Sequence, residues 1–413
     1  MPRFRCALTV VAVASLAGCS DTHDPGTGPI TGLPRDLSVA EGSLIAADNA
    51  FAFELFNEIN ARQSEGNVFV SPLSVAMALG MTYNGAAGTT REAMHAALGL
   101  KDLAEDDVNR SYRSLIDLLR GLDPRVEFIL ANSIWYRDTW TFEQAFLDIC
   151  RQYFDAEITP LDFTAPAASD TINQWVRDAT NGKIRDIVPK PVPWNIAMYL
   201  INAIYFQADW TYRFDESRTD AAPFTLADGV QTTVDMMSRE ASIPVGYTER
   251  DGVQIVDVPY GGEAYAMTIV LPENPAAIHE VIGRLSQERW EAWTAGLTAT
   301  EVHLSMPKFA LEYEIGLNDV LSSLGMAEAF DPAAADFTRM YARGGIWIDS
   351  VVHKTFVAVN EAGTEAAAAT AVGMAFESLP PTVMVNRPFV FVIRERFSGS
   401  ILFIGKVLDP TAG

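Results

Sequence analysis

Groups able to act as nucleophiles, acid–base catalysts or metal ligands are few in this chain and poorly spaced. The five histidines stand at 23, 95, 279, 303 and 353, and none has metal-ligand spacing with a cysteine. No Gly-x-Ser-x-Gly elbow, His-Glu-x-x-His motif, phosphate-binding loop or dinucleotide fingerprint occurs. Carboxylate pairs can be drawn at will from 53 acidic residues and carry no information. Enzymatic chemistry, a metal site and a cofactor are therefore not expected. The informative stretch is a run of small residues, 360–371, reading Asn-Glu-Ala-Gly-Thr-Glu-Ala-Ala-Ala-Ala-Thr-Ala. It lies between two apolar, strand-like segments, 346–359 and 383–393. A connection of about twenty residues without evident structure is uncommon in a compact domain, and is either functional or disordered.

The elements that must hold this run read as helices first and strands later. Residues 46–60 carry Phe51, Leu55, Phe56 and Ile59 at helical spacing. Ser71-Pro72 opens a second helix toward Gly85, with Ser as cap and Pro at the first position. Further helices are expected from Thr89 and over 106–120. Residues 126–136, 198–206, 253–258, 266–271 and 302–311 are short, branched or aromatic, and bounded by Gly, Pro or Asp, which predicts strands. Segments 383–393 and 401–407 predict a hairpin around Ser398-Gly399. This mixture predicts an α+β fold. Residues 199–206 and 347–359 are apolar at nearly every position, as in strands covered on both faces.

The chain has 413 residues and 49% hydrophobic composition, ample for a large core. Its net charge of −23 argues against nucleic acid or a heparin-like polyanion as partner, since both need a basic patch. The N terminus reads as a targeting signal. Arg3 and Arg5 precede a dozen or so apolar residues, too few to span a bilayer. Leu16-Ala17-Gly18-Cys19 resembles the bacterial lipobox, which implies cleavage after residue 18 and a lipid on Cys19. The expected localisation is an exported, lipid-anchored envelope protein. Residues 19–40, rich in Pro and Gly, read as a flexible tether, and residues 41–413 as one domain. Cys150 is left as a lone thiol with no internal disulfide partner, and reads as a small buried hydrophobe.

Several segments together resemble the serpin family. They are Asn67-Val-Phe-Val-Ser-Pro-Leu-Ser-Val-Ala-Met-Ala-Leu79, Gly85-Ala-Ala-Gly-Thr-Thr-Arg-Glu92, Tyr199-Leu-Ile-Asn-Ala-Ile-Tyr-Phe206 followed by Trp210, and Val258-Pro-Tyr260. Ser305-Met-Pro-Lys-Phe309, His353-Lys354, Arg387-Pro-Phe389 and Leu402-Phe-Ile-Gly-Lys-Val407 complete the set. Each is weak alone; in order and with fitting spacing they are specific. The resemblance implies a serpin fold: a large central sheet, further sheets, eight or nine helices and an exposed reactive-centre loop. It also implies a monomeric suicide inhibitor of a serine protease, or of a papain-like cysteine protease. The cut loop would enter the central sheet as a new strand and carry the acyl-linked protease across the molecule.

The resemblance places the hinge at Glu361, Gly363, Thr364, Ala366, Ala367, Ala368, Ala369 and Thr370. Counting from Glu361, and back from Asn386-Arg387-Pro388, puts the reactive bond at Glu377–Ser378, with Phe376 as the alternative. Ser71, Ser74, Asn202 and His353 resemble the cluster beneath the place where the sheet opens, and Trp210 the tryptophan at the loop's entry. The residues themselves permit insertion. Thr364, Ala366, Ala368, Thr370 and Val372 would share one face of a strand, and no Pro or charge occurs over 366–376. On propensity alone, Glu365-Ala-Ala-Ala-Ala369 reads instead as a surface helix. A serpin fold kept as a ligand-binding or chaperone module is the non-inhibitory alternative.

Overall fold

The computed structural model describes residues 28–364 and 380–412. Six helices carry the first half: α1 (Val39–Arg62), α2 (Pro72–Gly85), α3 (Gly88–Ala97), α4 (Glu105–Gly121), α5 (Gln144–Phe154) and α6 (Ala168–Ala179). Three shorter α-helices follow, giving nine among the described residues. The strands are β1 (Val68–Val70), β2 (Val126–Arg137), β3 (Ala156–Leu161), β4 (Met198–Asp209), β5 (Asp220–Thr225), β6 (Gln231–Met237), β7 (Ile243–Arg250) and β8 (Val253–Tyr260). They continue as β9 (Tyr265–Pro272), β10 (Thr298–Pro307), β11 (Phe309–Gly316), β12 (Val352–Val359), β13 (Gly363–Thr364), β14 (Thr382–Met384), β15 (Phe389–Glu395) and β16 (Ile401–Val407). Most helices come early in the chain and most strands later, and the strands pair mainly antiparallel, as in an α+β fold.

The largest sheet has ten strands in the order β1-β16-β15-β9-β8-β7-β10-β6-β5, with β14 added in parallel to β10. Its heart is the hairpin of β15 and β16, buried at every position because helices and sheet cover both faces. A second sheet runs β13-β4-β2-β3, and β11 pairs with β12 in a separate ladder. Among the described residues no β-bridge joins β4 to β12. Helix α2 lies behind β4 and is buried along nearly its whole length. Its N terminus is fixed as the sequence predicts: the Ser71 hydroxyl accepts the Ser74 N–H, and Pro72 fills the first turn. No described helix is long and apolar enough to cross a membrane.

Several expectations need correcting. The tether cannot extend to residue 40, because the chain is docked from Gly28 onward. Ile30 N–H donates to the Gly262 carbonyl at 2.7 Å, Arg125 donates to the Gly28 carbonyl, and Leu33 and Leu37 pack on the core. A capping box of Ser38 and Glu41 then starts α1 at Val39. Residues 346–359 are not one strand. Asn318 takes the carbonyl of Asp349 and the N–H of Val351, so pairing begins only at Val352. β12 is not uniformly covered either: buried positions alternate with exposed or half-buried ones from Val352 to Val359. Residues 302–311 divide after Pro307 into strands of different sheets, and 383–393 divides around Arg387-Pro388. A proline has no N–H for a ladder, which explains both breaks. Strands β1, β3, β5, β6 and β7 are absent from the sequence reading. They are short or polar on alternate positions, and their pairing is set by neighbours distant in sequence.

Candidate functional site at the head of the paired strands

Residues 360–364 leave β12 by a tight turn. The Asn360 side-chain oxygen accepts the N–H groups of Ala362 and Gly363, while the Asn360 N–H donates to the Gly363 carbonyl. The turn reverses the chain so that β13 runs antiparallel to β4, with Gly363 opposite Asp209 and Thr364 opposite Ala208. Glycine is required here. A Cβ at 363 would stand 2.2 Å from the Ala208 carbonyl oxygen and 2.5 Å from the Asp209 Cα. At φ +154° the backbone also lies where side chains are disfavoured.

Two groups clamp the turn. Trp210 donates through its backbone N–H to the Ala362 carbonyl and through its indole N–H to the Asn360 carbonyl, at 2.8 and 3.0 Å. Its ring stacks on Tyr260 with centroids 4.3 Å apart and 11° between planes. The Tyr260 hydroxyl in turn meets the Thr364 hydroxyl at 2.9 Å, with Thr364 buried. On the other side, buried Glu361 accepts from the Thr219 hydroxyl at 2.7 Å and pairs with Lys308 at 3.0 Å. Burial alone would raise the Glu361 carboxyl. Hydrogen bonds from Thr219, its own backbone and Lys308, together with the Lys308 charge, hold it below the ordinary glutamate value.

Below this lies the second group. His353 on β12 accepts the Ser71 N–H on Nε2 at 2.9 Å, so Nδ1 carries the proton. The ring is buried, and its pKa falls to about 4 because desolvation penalises the cation. The Ser71 hydroxyl donates to the Leu402 carbonyl, and the Ser74 hydroxyl to the Asn202 carbonyl at 3.4 Å. The start of α2 therefore touches both β4 and β12. Asn202 and His353 do not bond each other. The Asn202 amide donates instead to Asn132 on β2 at 2.7 Å, and its Oδ1 is buried without a partner among the described residues. The four residues are thus linked through the Ser71–Ser74 turn rather than by a bond between Asn202 and His353.

Of the sequence-derived site residues, the structure brings together Glu361, Gly363, Thr364 and Trp210 at the head, and Ser71, Ser74, Asn202 and His353 beneath. Cys19, Ala366, Ala367, Ala368, Ala369, Thr370, Phe376, Glu377 and Ser378 lie outside the described residues. Sequence reasoning missed Lys308, Tyr260, Asn360, Thr219 and Asn132. Lys308 and Tyr260 sit inside segments quoted above but were given no role. Thr219 has no local signal, being 142 residues from the carboxylate it binds.

A family model described as Serpin (serine protease inhibitor) matches residues 46–410. Leukocyte elastase inhibitor from Xenopus laevis is 33% identical, covering 89% of this chain and 100% of its own length. Human Serpin B8 is 34% identical over 89% of this chain and 99% of its own. An uncharacterized serpin-like protein of Thermococcus kodakarensis is 34% identical, with 98% and 99% covered. Among solved structures, the thermophilic serpin tengpin in its native state superposes with a TM-score of 0.80 at 33% identity, covering 93% of this chain and 97% of that one. Human thyroxine-binding globulin, complexed with thyroxine, gives 0.82 at 26% identity, with 90% and 100% covered. Sheets, helices, hinge turn and sequence match thus converge along nearly the whole body, and the chain belongs to the serpin family.

Proposed function

We propose that this protein is a suicide-substrate inhibitor of serine proteases. One observation carries the reading: Gly363 and Thr364 already occupy the first two positions of a strand against β4, at the head of two strands that share no bridge. A chain cut beyond this point needs only to continue the register. Thirteen residue steps lead from Thr364 to Glu377, about 43 Å when extended at roughly 3.3 Å each. Relatives named as protease inhibitors support the same reading.

The protease nucleophile, a serine Oγ or alternatively a cysteine Sγ, attacks the Glu377 carbonyl. The Glu377–Ser378 C–N bond breaks, and Ser378 leaves as the new amino terminus with the proton. The acyl bond to residue 377 is then carried along β4 as the strand inserts. A glutamate at that position suits a basic primary pocket, and Phe376 suits a chymotrypsin-like enzyme. Export and a lipid on Cys19 are part of this proposal, and rest on the N-terminal sequence alone.

The test is incubation with a panel of glutamate-specific, chymotrypsin-like, elastase-like and papain-like proteases. An SDS-resistant complex, with mass spectrometry locating the cut at 377–378, supports inhibition. Clean cleavage without a complex would point to a binding module. Labelled palmitate incorporated by the full chain and lost in Cys19→Ser checks the anchor.

A further inference from the structure

Trp194 is the most exposed tryptophan in the protein, at 90% of its free surface. It is not on a loose loop. Val192 and Ile196 on either side are buried in a second apolar cluster with Trp135, Phe163 and Ile172. Arg137, at the end of β2, donates to the carbonyls of Pro193, Trp194 and Ile196 at 3.0, 2.8 and 2.5 Å, and its guanidinium lies over the Phe163 ring. Asn195 bonds Asp349 at 2.9 Å, joining this loop to the one that carries Trp347, itself 36% exposed. An indole left in water on a backbone held this firmly exposes a large apolar surface, and tryptophan is among the residues enriched at binding hot spots.

The position of this loop names its occupant. Tyr136 pairs with Met198, so Trp194 lies just beyond the foot of β4, opposite the end where Thr364 pairs with Ala208. Each step forward along an inserting strand is one step back along β4. Residue 374 would then face Met198, the last paired position, and residue 377 would emerge three residues beyond it, toward the turn at Trp194 and Asn195. The inserted strand therefore overruns β4 by three residues, which brings residue 377 out at the foot of the sheet. On the inhibitor reading above, which this inference requires, the group bonded to residue 377 is the protease.

We propose that Trp194, on the loop that Asn195 and Asp349 join to the one bearing Trp347, is the surface on which the translocated protease rests in the trapped complex. It makes no contact with the protease during initial attack, because it lies at the far end of β4 from the hinge. Its role is to hold the arrested enzyme against the foot of the sheet and slow hydrolysis of the acyl bond.

Hydroxyl-radical labelling read by mass spectrometry tests this on three samples: the intact protein, the loop-cleaved protein free of protease, and the purified complex with whichever panel member forms one. Trp194 labelling should fall about five-fold or more in the complex and stay equal in the other two. Trp194→Ala, a change at a solvent-facing side chain, should form complex at an unchanged rate but release active protease several-fold faster. Equal labelling in complex and cleaved protein overturns this inference and leaves the inhibitor reading standing. Unchanged release from the Trp194→Ala complex likewise overturns it. Absence of a complex with every panel member overturns both.

Discussion

Thr364 and Tyr260 meet through their hydroxyl oxygens, 2.9 Å apart, at a position closed to solvent. The hinge is thereby committed to the sheet before any cut, and a charge cannot be accommodated there. Thr364→Arg would put an unpaired guanidinium beside the Trp210–Tyr260 stack, at a cost of several kcal/mol. Insertion should stall and hydrolysis overtake trapping. The expected outcome is a protein cleaved as a substrate, with a stoichiometry of inhibition raised at least several-fold and little SDS-resistant complex.

Gly363→Ala should act earlier. The added methyl meets the Ala208 carbonyl at 2.2 Å, which the backbone of β4 cannot yield cheaply. The hinge should leave β4, and the buried contacts of Thr364 should be lost. Hydrogen exchange at residues 362–364 and Trp210, read by mass spectrometry, should rise by an order of magnitude while exchange in β15 and β16 is unchanged.

Asn202 carries a buried Oδ1 with no donor. In the register that β13 begins, Thr370 would face Asn202, on the same side of the strand as Thr364. Its hydroxyl would supply the missing donor only after insertion. Thr370→Val should therefore destabilise the loop-cleaved form by about 1–3 kcal/mol and leave the uncut form unaltered. Paired denaturant melts of cut and uncut samples measure this.

Two buried groups give pH dependences of opposite sign. His353 has its folded pKa depressed from 6.5 to about 4, so the unfolded state binds the extra proton between those values. Its contribution is present above pH 6.5 and is lost on acidification toward pH 4, on the order of 3 kcal/mol. Asp48 is raised from 3.8 to about 7 by burial, with only the Tyr112 hydroxyl at 3.0 Å opposing. Its contribution is present below pH 3.8 and is lost as pH rises through 7, on the order of 4 kcal/mol at most. Relative to wild type, His353→Gln should lose less stability on acidification, and Asp48→Asn should gain stability at pH 8. Melting curves from pH 4 to 8 distinguish the two.

The loop-cleaved protein should melt higher than the intact one, since a strand added beside β4 would pair a backbone edge that shares no bridge with β12 among the described residues. Equal melting temperatures would remove the stored strain on which trapping depends.

The sequence by itself determined the family, the α2 cap and the hairpin of β15 and β16. Each is written in adjacent residues: the serpin-like segments in their order, Ser71 before Pro72, and branched and aromatic runs on either side of Ser398-Gly399. It misplaced the tether boundary and the ends of β12, because docking of Ile30 on Gly262 and capping by Asn318 are contacts between distant segments. The same holds for the site. Glu361 was legible from its motif, yet its partners Thr219 and Lys308 were not. Only the tertiary structure showed that Thr364 already pairs with Ala208, and that the far end of the same strand points at an uncovered Trp194. Register is a property of two strands together, and no single stretch of chain contains it.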